Sequence, residues 1–293
     1  MTLPVPRPLD RASVRIGTAS AAATPLATLV RPFSLAWRFR ELIGAVLRRE
    51  LADRFGGSLL GWLWAVIGPL ITLGLYLLAF LGAVHLPVAS AQGSPSHYAL
   101  SIFMGLIVFS AVAELCCRAP VLLQEHAWFL KSSIFPSEIL AWIAVFRALT
   151  FAGVSVVVFL VFQLAITGAL RPTFLLLPLI IVPLCLFLLG VAWILAALGA
   201  FTRDVAYLMA TFVPLMIVAT PVFYSIGDLP ADLQLVAYLN PVGAVIEMMR
   251  SLVLGGTAFP FIAYGVFCVF SLCVCRIGYS IFERYKGIAL DAI

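Results

Sequence analysis

Three histidines, six cysteines and 13 carboxylates are the side chains of this 293-residue chain with the means for proton transfer, nucleophilic attack or metal binding. His85, His97 and His126 have no nucleophile–base or paired-carboxylate pattern around them, which acid–base or covalent catalysis would need. Cys116, Cys117, Cys185, Cys268, Cys273 and Cys275 sit in or at the ends of apolar runs. None forms a C-x-x-C pair, so they read as small apolar filler, not as a zinc site or disulfide framework. No G-x-x-x-x-G-K-[ST] phosphate loop occurs. Catalytic residues, a metal and a nucleotide are therefore not expected on this chain. What remains is charge placed in apolar surroundings. Glu114 and Arg118 lie four apart, Glu247 and Arg250 three apart, so each pair shares a helix face and is expected to pair. Arg147 stands inside an apolar run with no identifiable partner. A structural ion pair and a direct substrate contact both fit such groups.

The elements that hold these residues follow from composition. The chain is 63% hydrophobic and only 11% charged, against about 25% charged in soluble domains. That much apolar surface needs a bilayer as solvent. Six spans are expected, at about residues 59–83, 98–117, 139–168, 174–201, 205–224 and 259–282. Gly61, Gly68, Pro69 and Gly74 in the first are tolerated where neighbouring helices pack closely. Residues 1–31, with Pro4, Pro6 and Pro8 and no apolar signal-peptide core, read as a cytoplasmic tail. From Pro32 to Leu51, apolar and basic residues mix as in a helix lying in the headgroup plane, with Trp37 as its anchor. Gly56-Gly57 supplies a bend from that helix into the first span. Residues 118–138 are too polar to cross and read as a water-side helix. Residues 225–256 read as two short re-entrant outer helices, broken at Asn240-Pro241 and ended by Gly255-Gly256.

The charges set the expected orientation. Nine of the 18 basic residues precede the first span, and fifteen fall on segments that lie inside if the N-terminus does. Arg171 and Arg250 are the outer ones. Both termini are thus expected in the cytoplasm. A nucleic-acid partner is not expected, because the basic residues follow topology and no base-stacking motif accompanies them. No internal repeat suggests a stand-alone secondary transporter.

Five stretches then resemble the membrane subunits of ABC-2 type transporters, above all the polysaccharide and O-antigen export permeases. The first holds Arg54-Phe55, Gly57-Ser58, Leu60-Gly61, Trp64 and Pro69. The second runs from Glu125 through Lys131 and Phe135-Pro136 to Glu138-Ile139-Leu140. Phe201-Thr202-Arg203-Asp204-Val205 is the third, and Pro221-Val222-Phe223-Tyr224 with Leu229-Pro230 the fourth. Tyr238-Leu239-Asn240-Pro241, followed by Glu247 and Arg250, is the fifth. They occur in order over residues 40–256. The N-terminal tail is longer than in that family, and Trp128-Phe129 replaces an aliphatic and polar pair.

The resemblance implies an all-α integral membrane protein of the bacterial inner membrane, with residues 32–293 forming the transmembrane domain. It implies a homodimer, with ATP and Mg held by two copies of a separate ATPase subunit. The cargo it implies is a lipid-linked, O-antigen-like glycan. Capsule, teichoic-acid, drug or lipid export are the alternatives. Residues 120–133 are then the expected ATPase-coupling surface, with Glu125, Trp128, Phe129 and Lys131 as contacts and Arg203-Asp204 as a second one. An interfacial anchor is the other reading of that segment. Sugar C–H faces stack on aromatic rings, so Trp62, Trp64, Tyr76, Phe80, Tyr207, Phe212, Phe223 and Tyr224 are candidates to line a channel between the two copies. Headgroup anchoring and lipid packing fit the same residues. Asn240, Pro241, Glu247 and Arg250 would belong to an outer gate.

Overall fold

The computed structural model describes residues 25–78, 95–127, 130, 136–230, 232, 234, 237, 239–255 and 258–291. Ten α-helices follow one another among the described residues: α1 (Pro25–Arg38), α2 (Arg40–Phe55), α3 (Trp64–Leu78), α4 (Pro95–Arg118), α5 (Leu122–Glu125), α6 (Ile139–Thr167), α7 (Leu177–Phe201), α8 (Asp204–Ala219), α9 (Pro241–Val253) and α10 (Phe261–Asp291). No strand occurs among the described residues. Among the described residues, four stretches are long and apolar enough to cross a membrane: His97–Glu125, Ile139–Thr167, Pro172–Phe201 and Phe261–Ile288. The apolar helices at the expected first and fifth spans are shorter, at Gly61–Leu75 and Asp204–Ala219.

Several boundaries differ from expectation for local reasons. The surface helix begins at Pro25, not Pro32, and Pro32 lies inside it. It also breaks at Phe39, so the expected single element is two helices. Gly57 then adopts φ +76°, a conformation open to glycine but strained for other residues, and turns the chain toward α3. The fifth apolar run stops at Ala219 rather than Tyr224. Thr220 precedes Pro221 and is extended (φ −98°, ψ 137°), as the proline ring requires. Residues 119–123 were expected on a water-side helix. Instead Ala119, Pro120, Leu122 and Leu123 are buried, and Gln124 donates to the Gly199 carbonyl on α7 at 2.9 Å. Their apolar side chains find more cover against α7 than a headgroup layer offers.

The helices alternate in direction. The end of α2, the C-termini of α4, α7 and α10 and the N-termini of α6 and α8 gather at one end of the bundle. Arg54–Glu114, Gln124–Gly199 and Lys286–Glu138 contacts join them there. Arg31 on α1 pairs with Glu283 on α10 at 2.5 Å at the same end. α4 lies at the centre of the core and packs most closely against α6, while α7 and α10 form the tightest helix pair. Trp193 on α7 is fully buried, donates to the Glu138 carbonyl at 3.2 Å and meets Tyr279 of α10 edge-on at 5.1 Å.

Glycine permits the α7–α10 approach. A Cβ on Gly190 would lie 2.5 Å from the Val274 carbonyl, and one on Gly278 would lie 2.2 Å from the Gly190 carbonyl oxygen. Small residues at such crossings let helix backbones touch where apolar burial gives little driving force. Gly190→Val should therefore destabilise the purified protein by at least about 1–3 kcal/mol, read as a lowered thermal midpoint in detergent. Gly153→Ala, at an open position of α6, should leave stability unchanged or raise it by up to about 1 kcal/mol. Equal effects from the two would refute this packing account.

Candidate functional site

The charged residues of the apolar runs converge at the end of the bundle where α2 meets α4 and α6. On α2, Glu50 and Arg54 lie four apart and face the bundle together. Glu50 is held by Arg118 of α4 at 3.4 Å, by His126 after α5 at 3.3 Å and by Arg147 of α6 at 3.2 Å. Arg54 takes Glu114 of α4 at 2.7 Å, and Glu114 also receives Arg147 at 3.2 Å. Arg118 closes the set on Glu125 at 3.0 Å. The expected Glu114–Arg118 pair is not formed. Spacing puts both on one face of α4, but α2 and α6 bring nearer partners of opposite charge. Arg147, which lacked a partner in the sequence, has two.

Burial costs the Glu50 carboxylate its hydration, which alone would raise its pKa. The His126 hydrogen bond and the charges of Arg118, His126 and Arg147 outweigh this and hold it below its ordinary range. Conversely, the Glu50 hydrogen bond raises His126, helped by the Leu122 carbonyl and the Glu50 and Glu125 charges, against a smaller desolvation.

Above this cluster lies a cavity of about 860 Å3. Its floor is Arg54, Glu114, Arg118, Glu125 and Arg147, and its walls include Trp64, Pro69, Phe103, Phe109, Phe151 and Ile217. The Arg54 guanidinium sits 3.9 Å from the Phe151 ring centroid, a cation–π contact. Trp62 stacks on the same phenylalanine at 6.4 Å. The site thus joins a charged floor to an aromatic, apolar wall, which suits an amphiphile or an apolar chain ending in a polar group.

The sequence-named coupling residues divide. Glu125 lies in the cluster, half exposed at the end of α5. Arg203 and Asp204 are exposed at the start of α8, where the Asp204 amide donates to Thr202 Oγ1 at 3.2 Å. Trp128, Phe129 and Lys131 lie outside the described residues. Among the channel candidates, Trp62, Trp64, Tyr207 and Phe212 are exposed. The last two are on α8, whose only buried residue is Val213. Phe223 and Tyr224 occupy the turn after α8, and their carbonyls accept from Tyr98 Oη at 2.9 Å and Arg250 Nη1 at 3.2 Å. The Tyr76 side chain and all of Phe80 lie outside the described residues.

The gate candidates sit at the opposite end. Asn240 caps α9 through bonds from the Val242 and Gly243 amides at 3.0 and 3.4 Å, and Pro241 fills the first helical position. Glu247 and Arg250 pair at 3.2 Å, as their spacing implies. Arg250 is 7% exposed and also donates to the carbonyls of Ser101 (3.1 Å) and Val222 (2.6 Å). Glu50 and His126 were not singled out as site residues from sequence. The signal was there, because Glu50 stands four before Arg54 on the face that must meet Arg147, but no local spacing reports a partner on another helix.

An all-helical bundle with several apolar helices, ion pairs gathered at one end and an amphipathic cavity above them is the build of a membrane transport subunit. Residues 41–254 match the ABC-2 type transporter family, and the chain belongs to it. It is similar to the O-antigen export system permease protein RfbA of Klebsiella pneumoniae, 25% identical over 257 residues, covering 87% of this chain and 95% of that protein. A protein of the same name from Myxococcus xanthus is 25% identical over 217 residues, covering 73% and 80%. A second from Klebsiella pneumoniae is 22% identical over 263 residues, covering 88% and 97%. The chain is thus an integral inner-membrane permease homologous to O-antigen export permeases.

The two pKa directions fix the pH dependence of the cluster. The His126 contribution is complete below its ordinary value of 6.5 and is lost as pH rises through its raised folded value. The Glu50 contribution is complete above its ordinary value of 4.5 and is lost as pH falls through its lowered folded value. The cluster is therefore strongest between pH 4.5 and 6.5. The thermal midpoint of the purified protein should decline as pH rises beyond that window, and His126→Gln should remove that part of the decline. An identical pH profile for the two proteins would refute the assignment.

Proposed function

We propose that this chain is the membrane half of an ATP-driven exporter that moves a lipid-linked, O-antigen-like polysaccharide from the cytoplasm to the outer side of the inner membrane. The observation that carries this reading is the likeness, over nearly the whole length, to permeases named for O-antigen export. The cavity supports it chemically. A lipid-linked glycan is an amphiphile, and aromatic walls above a charged floor offer partners to both of its parts.

The working unit is two copies of this chain with two ATPase subunits that hold ATP and Mg. The α8 helix supports a second copy: it is apolar, yet buries only Val213 in the single chain. Tyr207 and Phe212 on its exposed face, with Trp62 ahead of α3 and Trp64 at its start, line the passage between the copies. The charged end of the bundle faces the cytoplasm, as the distribution of Lys and Arg implies. The ATPase seats there, against the segment after α4 and the Arg203-Asp204 turn. α9 and the segment before it close the outer end.

Deletion of the gene followed by glycan profiling tests the reading. Lipid-linked polymer should build up inside the cell and the outer glycan should vanish, both restored by the full chain. Build-up of a capsule or teichoic-acid precursor would move the substrate to that class, and no build-up at all would refute glycan export. Tyr207→Ala combined with Phe212→Ala should lower export roughly tenfold, about 1.4 kcal/mol in barrier terms, with the amount of assembled complex unchanged. Undiminished export would remove these two residues from the passage.

A further inference from the structure

We propose that Glu50 is a positioning residue, the joint through which movement of the segment after α4 is passed to α2 and so to α3. The inference rests on the ATP-driven reading above and adds the part that transmits the motion. Its first support is geometry. One carboxylate, with a side chain 9% exposed, collects cations from three separate elements: Arg118 at the end of α4, His126 after α5 and Arg147 on α6. The second is the poverty of other contacts. Of the 16 residues of α2, only Ile43 and Leu51 are buried, so apolar packing alone holds this helix weakly.

The third support is continuity. α2 leads through the Gly56-Gly57 turn and a short 3-10 turn directly into α3, whose residues Trp64 and Pro69 line the cavity. A displaced α2 therefore moves a cavity wall. The fourth is that the partners are exchangeable. Arg118 also holds Glu125, and Arg147 also holds Glu114, which Arg54 of α2 grips in turn. When the segment carrying Glu125 and His126 shifts, Glu50 gives up His126 and keeps Arg118 and Arg147. Two discrete arrangements of one charge set give a transmission element, where a single fixed pair would give only a rivet.

The groups that face Glu50 are thus Arg118, His126 and Arg147, with Glu125, Glu114 and Arg54 one contact further out. An apolar residue in place of Glu50 would take away the one carboxylate that Arg118, His126 and Arg147 share, leaving Arg118 on Glu125 and Arg147 on Glu114.

The test uses the full chain in complex with its ATPase. ATP hydrolysis and glycan export are measured in parallel for the wild type, Glu50→Gln, Glu50→Asp and His126→Gln. Glycan exported per ATP hydrolysed should fall at least about fivefold in Glu50→Gln, the low end of energetic coupling between sites. Glu50→Asp, which keeps the charge, should recover part of it. His126→Gln leaves Glu50 paired with both arginines and should cause a smaller loss, which keeps the test alive if Glu50→Gln fails to fold. Spin labels at the exposed Arg49 and Ile288, in a variant whose six cysteines are replaced, report movement of α2 against α10 without any cargo. The distance should change on adding ATP with vanadate in the wild type and stay fixed in Glu50→Gln. Export and hydrolysis falling together with the amount of complex would make Glu50 a stabilising residue only and overturn the proposal. So would a wild-type distance unmoved by nucleotide, or a movement retained in Glu50→Gln. Glycan export absent from the wild type would instead overturn the substrate reading, with the label distance still deciding the joint.

Discussion

A carboxylate withdrawn from water stays charged only where cations replace its hydration. That constraint shapes the Glu50 cluster, and the cluster in turn fixes how the bundle is assembled. Removing an ion from water costs several kcal/mol even after relaxation, so a side chain as buried as Glu50 requires Arg118, His126 and Arg147 close at hand. Those cations sit on α4, beyond α5 and on α6. Satisfying one charge therefore sets the relative position of four elements. The same need explains why Arg147 can stand inside an apolar helix at all. Its guanidinium reaches out of α6 toward two carboxylates that α2 and α4 bring to it.

Elsewhere the bundle is held by backbone proximity instead of charge. The α7–α10 contact, with Gly190 against Val274 and Gly278 against Gly190, leaves no room for a side chain between the helices. Dispersion between closely apposed backbones is what remains when lipid is as apolar as the protein. Trp193 and Tyr279 then fill the space beside that crossing. The Trp193 N–H finds the Glu138 carbonyl, and the Glu138 carboxylate finds Lys286 at 2.6 Å, so the contact is also tied to the start of α6.

Composition, the positions of four long apolar spans and the family were legible in the sequence because each is local or additive. A run of apolar residues declares itself, and so does a cap such as Asn240-Pro241 before α9. Glu247 and Arg250 pair as their three-residue spacing implies. Glu114 and Arg118 do not, although their spacing is equally good. The first pair has a carbonyl-rich surrounding that leaves Glu247 as the nearby acid, whereas the second faces helices that carry stronger competitors. Helical spacing reports which residues share a face; it carries no information about what another helix brings to that face. The same limit hid Glu50 and His126. It also hid the burial of Ala119, Pro120, Leu122 and Leu123, in a segment read as a surface helix but whose leucines are taken up by α7. Thr220-Pro221 shows the converse case, a boundary that proline chemistry dictates and that an apolar run obscures.

The two ends of the bundle are built from different bonds, and the difference has mechanical consequences. At the α9 end, Arg250 donates to the carbonyls of Ser101, Val222 and Tyr224, and Tyr98 donates to that of Phe223. Gln163 likewise meets the Val253 carbonyl at 3.0 Å. Each of these acceptors is fixed to backbone, so moving one element there strands polar groups in apolar surroundings at about 1–3 kcal/mol apiece. Within the Glu50 cluster at the charged end the ion pairs join two side chains, and most of the partners have a second choice. Glu50, Glu114, Arg118 and Arg147 can each lose one neighbour and retain another. Motion confined to that cluster costs an exchange of ion pairs. The cavity floor is made of those same exchangeable groups, so the part of the molecule best able to rearrange is the part against which cargo would lie.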